Sequence, residues 1–205
     1  MPLAVCATPI GNLDDVTLRV LDELRAAAVV LAEDTRHTRG LLERHGIQAR
    51  LLSYHEHNEA ARVAELLPRL AAGERLALVS DAGLPGISDP GMRLVRAALD
   101  ASLEVTVLPG PSAVETALVA SGHGGPYAFV GFLPRGKAAL ASFWQETASW
   151  GTTLVAFESP KRLPATLRAL AAADGTREVA VCRELTKRFE EVVRGTADEL
   201  AERFP

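Results

Sequence analysis

The sequence predicts an α/β protein of two domains, each a mainly parallel or mixed sheet covered by helices. Three observations predict it. Apolar runs of strand length alternate with segments of helical period almost throughout, which is the pattern of parallel strands joined by covering helices. The alternation breaks at Ser121-Gly122-His123-Gly124-Gly125-Pro126 and then restarts. The 205 residues also suffice for two compact domains of roughly 100 residues each. The expected division is a first α/β domain over residues 1–111, a junction over 112–125 and a second α/β domain over 126–205.

The elements follow in order. Residues 3–7 read as a strand, the loop Thr8-Pro9-Ile10-Gly11-Asn12 follows, and a helix covers about 16–27. A strand over 28–32 ends at Glu33-Asp34, and Thr35 is expected to cap a helix closed by Gly46. A short strand at 51–54 precedes a strongly helical stretch at 58–72. The continuous apolar run 75–80 has the character of a strand buried on both faces. It ends in Asp81-Ala82-Gly83-Leu84-Pro85-Gly86-Ile87-Ser88-Asp89-Pro90-Gly91, which no regular element could contain. A helix at 92–101, a strand at 104–108 and the turn Pro109-Gly110-Pro111-Ser112 complete the first domain. In the second domain strands are expected near 127–131, 153–157, 179–183 and 190–194, with helices at about 137–149 and 163–172.

Composition narrows the class. With 48% hydrophobic and 23% charged residues, the chain is neither disordered nor fibrous. No apolar stretch reaches the 18 or so residues of a membrane span, and the first basic residue, Arg19, comes too late for a secretory leader. A soluble, cytoplasmic protein without a membrane partner is expected. Cys6 and Cys182 sit in apolar runs and read as buried free thiols of a reducing compartment. Net charge −4 argues mildly against nucleic acid, although a local basic face is compatible with it. Lysine is scarce: of 22 basic residues only Lys137, Lys161 and Lys187 are lysines.

In open parallel sheets ligands bind beyond the carboxyl ends of the strands. Four unusual loops fall there, at residues 8–12, 33–36, 81–91 and 109–112, and three are dominated by Gly and Pro. Each alone is compatible with a tight turn; four at one sheet edge point to a ligand site. No Walker-type GxxxxGK[ST] and no GxGxxG after the first strand is present, and no lysine precedes residue 137. Backbone groups, small side chains and the Asp81 carboxylate suit a neutral or cationic ligand with a ribose or amine better than a polyphosphate. S-adenosylmethionine has that character. The five histidines lack partner cysteines or a third ligand at credible spacing, so no metal is expected.

The same loops carry a resemblance. Ala7-Thr8-Pro9-Ile10-Gly11-Asn12-Leu13, Ala32-Glu33-Asp34-Thr35-Arg36, Ser53-Tyr54-His55-Glu56-His57-Asn58-Glu59 and the block from Val79 to Gly91 occur in this order. Pro109-Gly110-Pro111-Ser112-Ala113, Gly131-Phe132-Leu133-Pro134, Phe157-Glu158-Ser159-Pro160-Lys161-Arg162 and Arg183-Glu184-Leu185-Thr186-Lys187 continue the series. Nearly the whole chain thus resembles the bacterial small-subunit rRNA (cytidine-2′-O)-methyltransferases, which belong to the tetrapyrrole-methylase fold class (class III methyltransferases).

The resemblance implies two α/β domains, S-adenosylmethionine in a cleft between them, and usually a homodimer. It implies methylation of a cytidine ribose 2′-hydroxyl in the decoding region of 16S rRNA, within the small ribosomal subunit. Carried over by motif, the methyl donor would touch Pro9, Gly11, Asp81, Ala82, Gly83, Pro85, Gly86, Ser112 and Ala113, with Phe157 and Glu158 on the far wall. A ribose hydroxyl is a weak acid, so a base, or a cation beside the developing alkoxide, should assist. Glu33, Asp34, Arg36, Glu184 and Lys187 are the candidates, with His57 and Glu59 behind them. The bland alternative for Glu33-Asp34 is acids at a helix N-terminus.

For the RNA, Arg135-Gly136-Lys137, Lys161-Arg162 and residues 183–188 offer phosphate contacts, and Tyr54, Phe132 and Phe157 offer stacking faces. The chain stops at Phe204-Pro205, after a helix opened by Thr196, where the family pattern continues with at least one more strand. The second domain is therefore expected to be truncated or its sheet short by a strand. The rival readings are a small-molecule (tetrapyrrole-type) methylase of this fold and a non-catalytic RNA-binding module.

Overall fold

The computed structural model of the chain describes residues 2–205. The chain divides into two units, one ending at Ala113 and the other covering Val114–Pro205.

The first unit holds β1 (Leu3–Cys6), α1 (Leu18–Ala26), β2 (Val29–Ala32), α2 (Thr35–Arg44), β3 (Leu51–Ser53), α3 (Glu59–Ala71), β4 (Leu76–Val79), α4 (Met92–Asp100) and β5 (Val105–Leu108). All strands are parallel, in the order β3-β2-β4-β1-β5. Short, fully buried strands explain the lack of polar alternation: side chains on both faces meet a helix layer. Leu3, Val5, Val29, Leu31, Leu76 and Leu78 pack with Leu66 and Leu70 of α3 and Leu94 and Ala98 of α4. Their neighbours Ala4, Cys6, Val30, Ala32, Ala77 and Val79 pack with Val20, Leu21 and Leu24 of α1 and Leu41 and Leu42 of α2. Each fully buried leucine is worth about 1.5–3 kcal/mol.

This layering places the site. β1 and β4 are neighbours, yet the helix after β1 covers one face and the helix after β4 the other. Their following loops therefore head for helices on opposite faces, and they frame a crevice beyond the carboxyl ends of the two strands. At the opposite end of the sheet, the buried carboxylate of Glu23 meets Arg75 in a two-pronged pair at 2.7 and 2.5 Å.

The second unit contains most of α5 (Ala113–Ser121), then β6 (Tyr127–Phe132), α6 (Lys137–Thr147), β7 (Thr153–Phe157), α7 (Leu163–Asp174), β8 (Glu178–Arg183), β9 (Glu191–Thr196) and α8 (Ala197–Arg203). β6 and β7 form a parallel pair, and β8 and β9 an antiparallel one. Leu133, Leu140, Trp144, Leu170 and Ala197 form one apolar cluster, and Leu167, Val181, Val193 and Leu200 another. The helix expected after Thr196 is present, opened by a capping box in which Thr196 and Glu199 satisfy each other's backbone N–H groups.

Three expectations are corrected. Residues 113–121, read as part of a junction, form α5, whose apolar run Ala117-Leu118-Val119-Ala120 carries no clear amphipathic stripe. The N-cap of α2 is Asp34 rather than Thr35, because its carboxylate accepts from the Arg36 N–H at 2.8 Å. Of the two free thiols only Cys6 is fully buried, and Cys182 is partly so. Burial pushes the Cys6 thiol up to about 12, so it packs as an inert apolar group.

Candidate active site

Two loops meet over the crevice between β1 and β4. Thr8 and Gly83 exchange backbone hydrogen bonds, at 2.8 and 3.0 Å, as one antiparallel bridge. The Thr8 hydroxyl donates to the Ser80 carbonyl at 3.0 Å. Gly83 sits at φ +76°, a left-handed conformation that suits glycine, and this turns the β4 loop back over the end of β1. The loop after β5 closes in from the other side. A side chain at Gly110 would place its Cβ 2.9 Å from that of Ala7, so only glycine lets the two backbones approach.

A third loop, after β2, is tied in by Asp81. Its Oδ1 accepts from the Asp34 N–H at 3.0 Å, which joins the start of α2 to the loop after β4. A small pocket opens beside this junction, lined by Thr8, Pro9, Leu13, His37, Thr38, Leu41, Ser80 and Asp81. Its lining combines the apolar Pro9, Leu13 and Leu41 with three hydroxyl residues, the His37 ring and the Asp81 carboxylate.

The electrostatics are acidic and local. Half-buried Glu33 is held above the usual carboxylate range by burial first, then by the facing charges of Asp81 and Asp89; the Asp81 N–H hydrogen bond partly opposes this. Asp89 is raised for the same reasons, burial first and Asp81 second, with the Ser80 hydroxyl opposing. Asp34 behaves oppositely. Arg36 grips it through Nε at 3.1 Å and Nη2 at 2.7 Å, and holds its carboxyl far below the ordinary range. Adjacent acids therefore differ: Asp34 is a cap paired with Arg36, whereas the Glu33 carboxyl is raised by burial and then by its carboxylate neighbours.

This donor set repels polyphosphates. Its uncompensated carboxylates favour a group that brings positive charge or hydroxyl donors. Among the described residues, no group of three or more His, Cys, Asp or Glu is arranged to hold a metal ion.

The block Ser53-Tyr54-His55-Glu56-His57-Asn58-Glu59 has a bracing part. Tyr54 is buried at 1% exposure, so its ring offers no stacking face, contrary to expectation. Its hydroxyl donates to Glu59 Oε1 at 3.1 Å, and the same oxygen accepts from the Gly91 N–H at 2.9 Å. Glu59 thereby anchors the far end of the 81–91 loop. Asn58 closes the preceding turn by accepting from the His55 N–H and donating to the Ser53 carbonyl.

The signature of the Tetrapyrrole (Corrin/Porphyrin) Methylases matches residues 2–201. The chain belongs to the tetrapyrrole methylase family. It is 46% identical over 198 residues to the Ribosomal RNA small subunit methyltransferase I of Halalkalibacterium halodurans, covering 96% of this chain and 68% of that protein. It is 45% identical over 206 residues to the protein of the same name from Thermotoga maritima, covering 98% of this chain and 91% of that protein. Among solved structures, uroporphyrin-III-C-methyltransferase from Thermus thermophilus superposes with a TM-score of 0.67 at 21% identity, covering 98% of this chain and 87% of that one. That likeness shows the fold.

Within this methylase fold the structure brings Pro9, Asp81 and Gly83 together with Glu33, Asp34 and Arg36. Gly11 lies in the Thr8 loop, Ala82, Pro85 and Gly86 in the Asp81 loop, and Ser112 and Ala113 follow β5. Phe157 and Glu158 end β7 in the second unit. Phe157 packs between Phe129 and Phe132, and the Glu158 carboxylate accepts from the Ser159 N–H and the Thr166 hydroxyl, both at 2.7 Å. Glu184 and Lys187 pair with each other at 3.3 Å on the β8–β9 hairpin. Motif reading passed over Thr8, His37, Thr38, Ser80 and Asp89. Thr8 and Ser80 are buried polar residues that close strand ends, and His37 and Thr38 lie within one helical turn of Asp34.

Proposed function

We propose that this chain catalyses S-adenosylmethionine-dependent 2′-O-methylation of a cytidine ribose in the decoding region of 16S rRNA. The observation that carries this reading is the 44–48% identity, across nearly the whole chain, to proteins named Ribosomal RNA small subunit methyltransferase I. The first unit supports it, because its crevice suits a cationic, ribose-bearing ligand. Asp81, Thr8 and Pro9 would hold the methyl donor with the backbone of residues 82–86, and the donor when bound supplies an electrophilic methyl group.

In this reading Asp81 contributes charge and a fixed acceptor, its orientation set by the Asp34 N–H. Glu33 accepts the proton of the ribose hydroxyl on its carboxylate, and burial, then the facing charges of Asp81 and Asp89, raise its affinity for that proton. Asp34 and Arg36 hold the loop in shape beside it. Positioning accounts for much of the acceleration, since the leaving group needs no activation. Lys187, paired with Glu184, is the proposed stabiliser of negative charge developing on the acceptor oxygen, and Phe157 and Glu158 are proposed to complete the donor wall. A cytoplasmic homodimer acting on the small ribosomal subunit belongs to the same proposal.

The test is methyl transfer from labelled donor to small ribosomal subunits lacking the endogenous modification. Label in 16S rRNA is expected. Label confined to a tetrapyrrole, or none in RNA, contradicts the reading.

A further inference from the structure

We propose that the carboxyl ends of β6 and β7 form a docking platform for an unpaired RNA nucleotide, with Phe132 as the stacking face and Arg135, Lys137 and Lys161 as phosphate contacts. The inference rests on the rRNA reading above and locates part of its substrate surface.

The platform is built by a bulge. The register of β6 on β7 shifts between Phe129 and Phe132, where Gly131 takes φ +67°. A bulge re-aims the side chain that follows it. Phe132 is left 61% exposed at the strand end, although it remains paired with Phe157. It is not loose. Its ring lies 5.5 Å from that of Phe157, which meets Phe129 edge-on at 4.9 Å. An exposed aromatic held rigidly from behind presents a flat face at low entropic cost, which is what base stacking needs.

The cations around it are selected by elimination. Arg162 points inward: it donates to the Leu133 and Pro134 carbonyls at 3.0 and 2.6 Å and pairs with Glu158. It therefore fastens the loop after β7 to the loop after β6. Arg183 pairs with Glu191, and Lys187, already assigned to the acceptor oxygen in the proposed reaction, pairs with Glu184. By contrast, Arg135, Lys137 and Lys161 lie in or beside the two fastened loops, are exposed, and form no ion pair among the described residues. Among the described residues of these two loops (133–136 and 158–162) the acidic side chain is Glu158, and it pairs with Arg162. The edge thus carries an aromatic face and three uncompensated positive charges, which complements a base followed by its phosphates.

The experiment is fluorescence anisotropy with labelled single-stranded oligocytidylate RNA across a salt series. Phe132→Ala and Phe132→Leu are compared with wild type and with the triple variant Arg135→Gln, Lys137→Gln, Lys161→Gln. Melting temperature and sedimentation are recorded for each. Both Phe132 variants are expected to bind about ten-fold or more weakly, because leucine keeps apolar volume but loses the stacking face. The triple variant should lower the slope of log affinity against log salt by about 0.7 per cation removed. Unchanged RNA affinity in the variants, while wild type still methylates small subunits, overturns the platform and leaves the rRNA reading standing. A shift in oligomeric state on Phe132→Ala with unaltered RNA affinity also overturns it, making this face a contact between two copies. Failure of wild type both to bind RNA and to methylate subunits overturns the rRNA reading, and the platform with it.

Discussion

The Oδ1 atom of Asp81 accepts a hydrogen bond from the backbone N–H of Asp34 at 3.0 Å, 47 residues away in the chain. This contact makes the Asp81 carboxylate a structural tie between the loops after β2 and β4, so that duty and its proposed duty toward the methyl donor can be separated by mutation. Asn at position 81 can still accept from Asp34 but carries no charge; Ala can do neither. Asp81→Asn should keep or slightly raise the wild-type melting temperature, because it retains the acceptor and relieves repulsion on Glu33 and Asp89. It should bind S-adenosylmethionine about 10- to 100-fold more weakly, the worth of one charge-assisted hydrogen bond. Asp81→Ala should lose both affinity and stability. Titration calorimetry and thermal melts read the two effects.

Glu33 should trade stability for activity. Its folded pKa lies above the ordinary 4.5, so its ionised form is disfavoured in the fold relative to the unfolded chain. Glu33→Gln removes the buried charge and its repulsion from Asp81 and Asp89, and should raise the melting temperature at neutral pH while abolishing methyl transfer. The sign is definite. The stabilisation is full above the raised folded pKa, and it disappears as pH falls through about 4.5, where the wild-type carboxyl is protonated in both states. Melts from pH 4 to pH 8 check it.

Glu59 acts through the loop it braces. Glu59→Ala leaves the buried Tyr54 hydroxyl and the Gly91 N–H without their acceptor, a cost of about 1–3 kcal/mol per buried group. Glu59→Gln keeps an acceptor oxygen and should recover most of it. Denaturant unfolding read beside methyl transfer by both variants distinguishes this bracing role from a proton-transfer role, in which Gln would be as inactive as Ala.

The pair at the other end of the sheet predicts an asymmetry. Glu23 is 2% exposed, whereas its partner Arg75 is 40% exposed. Arg75→Ala strands a buried carboxylate and should cost about 3–5 kcal/mol. Glu23→Ala should cost less, because Arg75 can turn its guanidinium to water. Paired denaturant melts measure the difference.

Much of this was legible in the residues. Short apolar runs without polar alternation at β1, β2 and β4 mark strands buried on both faces, and Gly-Pro loops at their ends mark a ligand edge. What stayed hidden depends on tertiary contact. Tyr54 and Phe132 are both aromatics at strand ends in conspicuous motifs, yet one is enclosed beneath α3 and α4 and the other is turned outward by a bulge. The contrast between Glu33 and Asp34 likewise comes from Arg36, Asp81 and Asp89, whose positions only the folded loops decide. α5 escaped because its apolar run lacks a face and its ends are set by glycine and proline.

The central claim, a ribose 2′-hydroxyl of 16S rRNA as methyl acceptor, is tested most directly by digesting 16S rRNA from treated small subunits to nucleosides and locating the label by mass spectrometry. The account predicts label in 2′-O-methylcytidine from a decoding-region fragment, with none from Glu33→Gln. Label on a base atom, or equal labelling by Glu33→Gln, would contradict it.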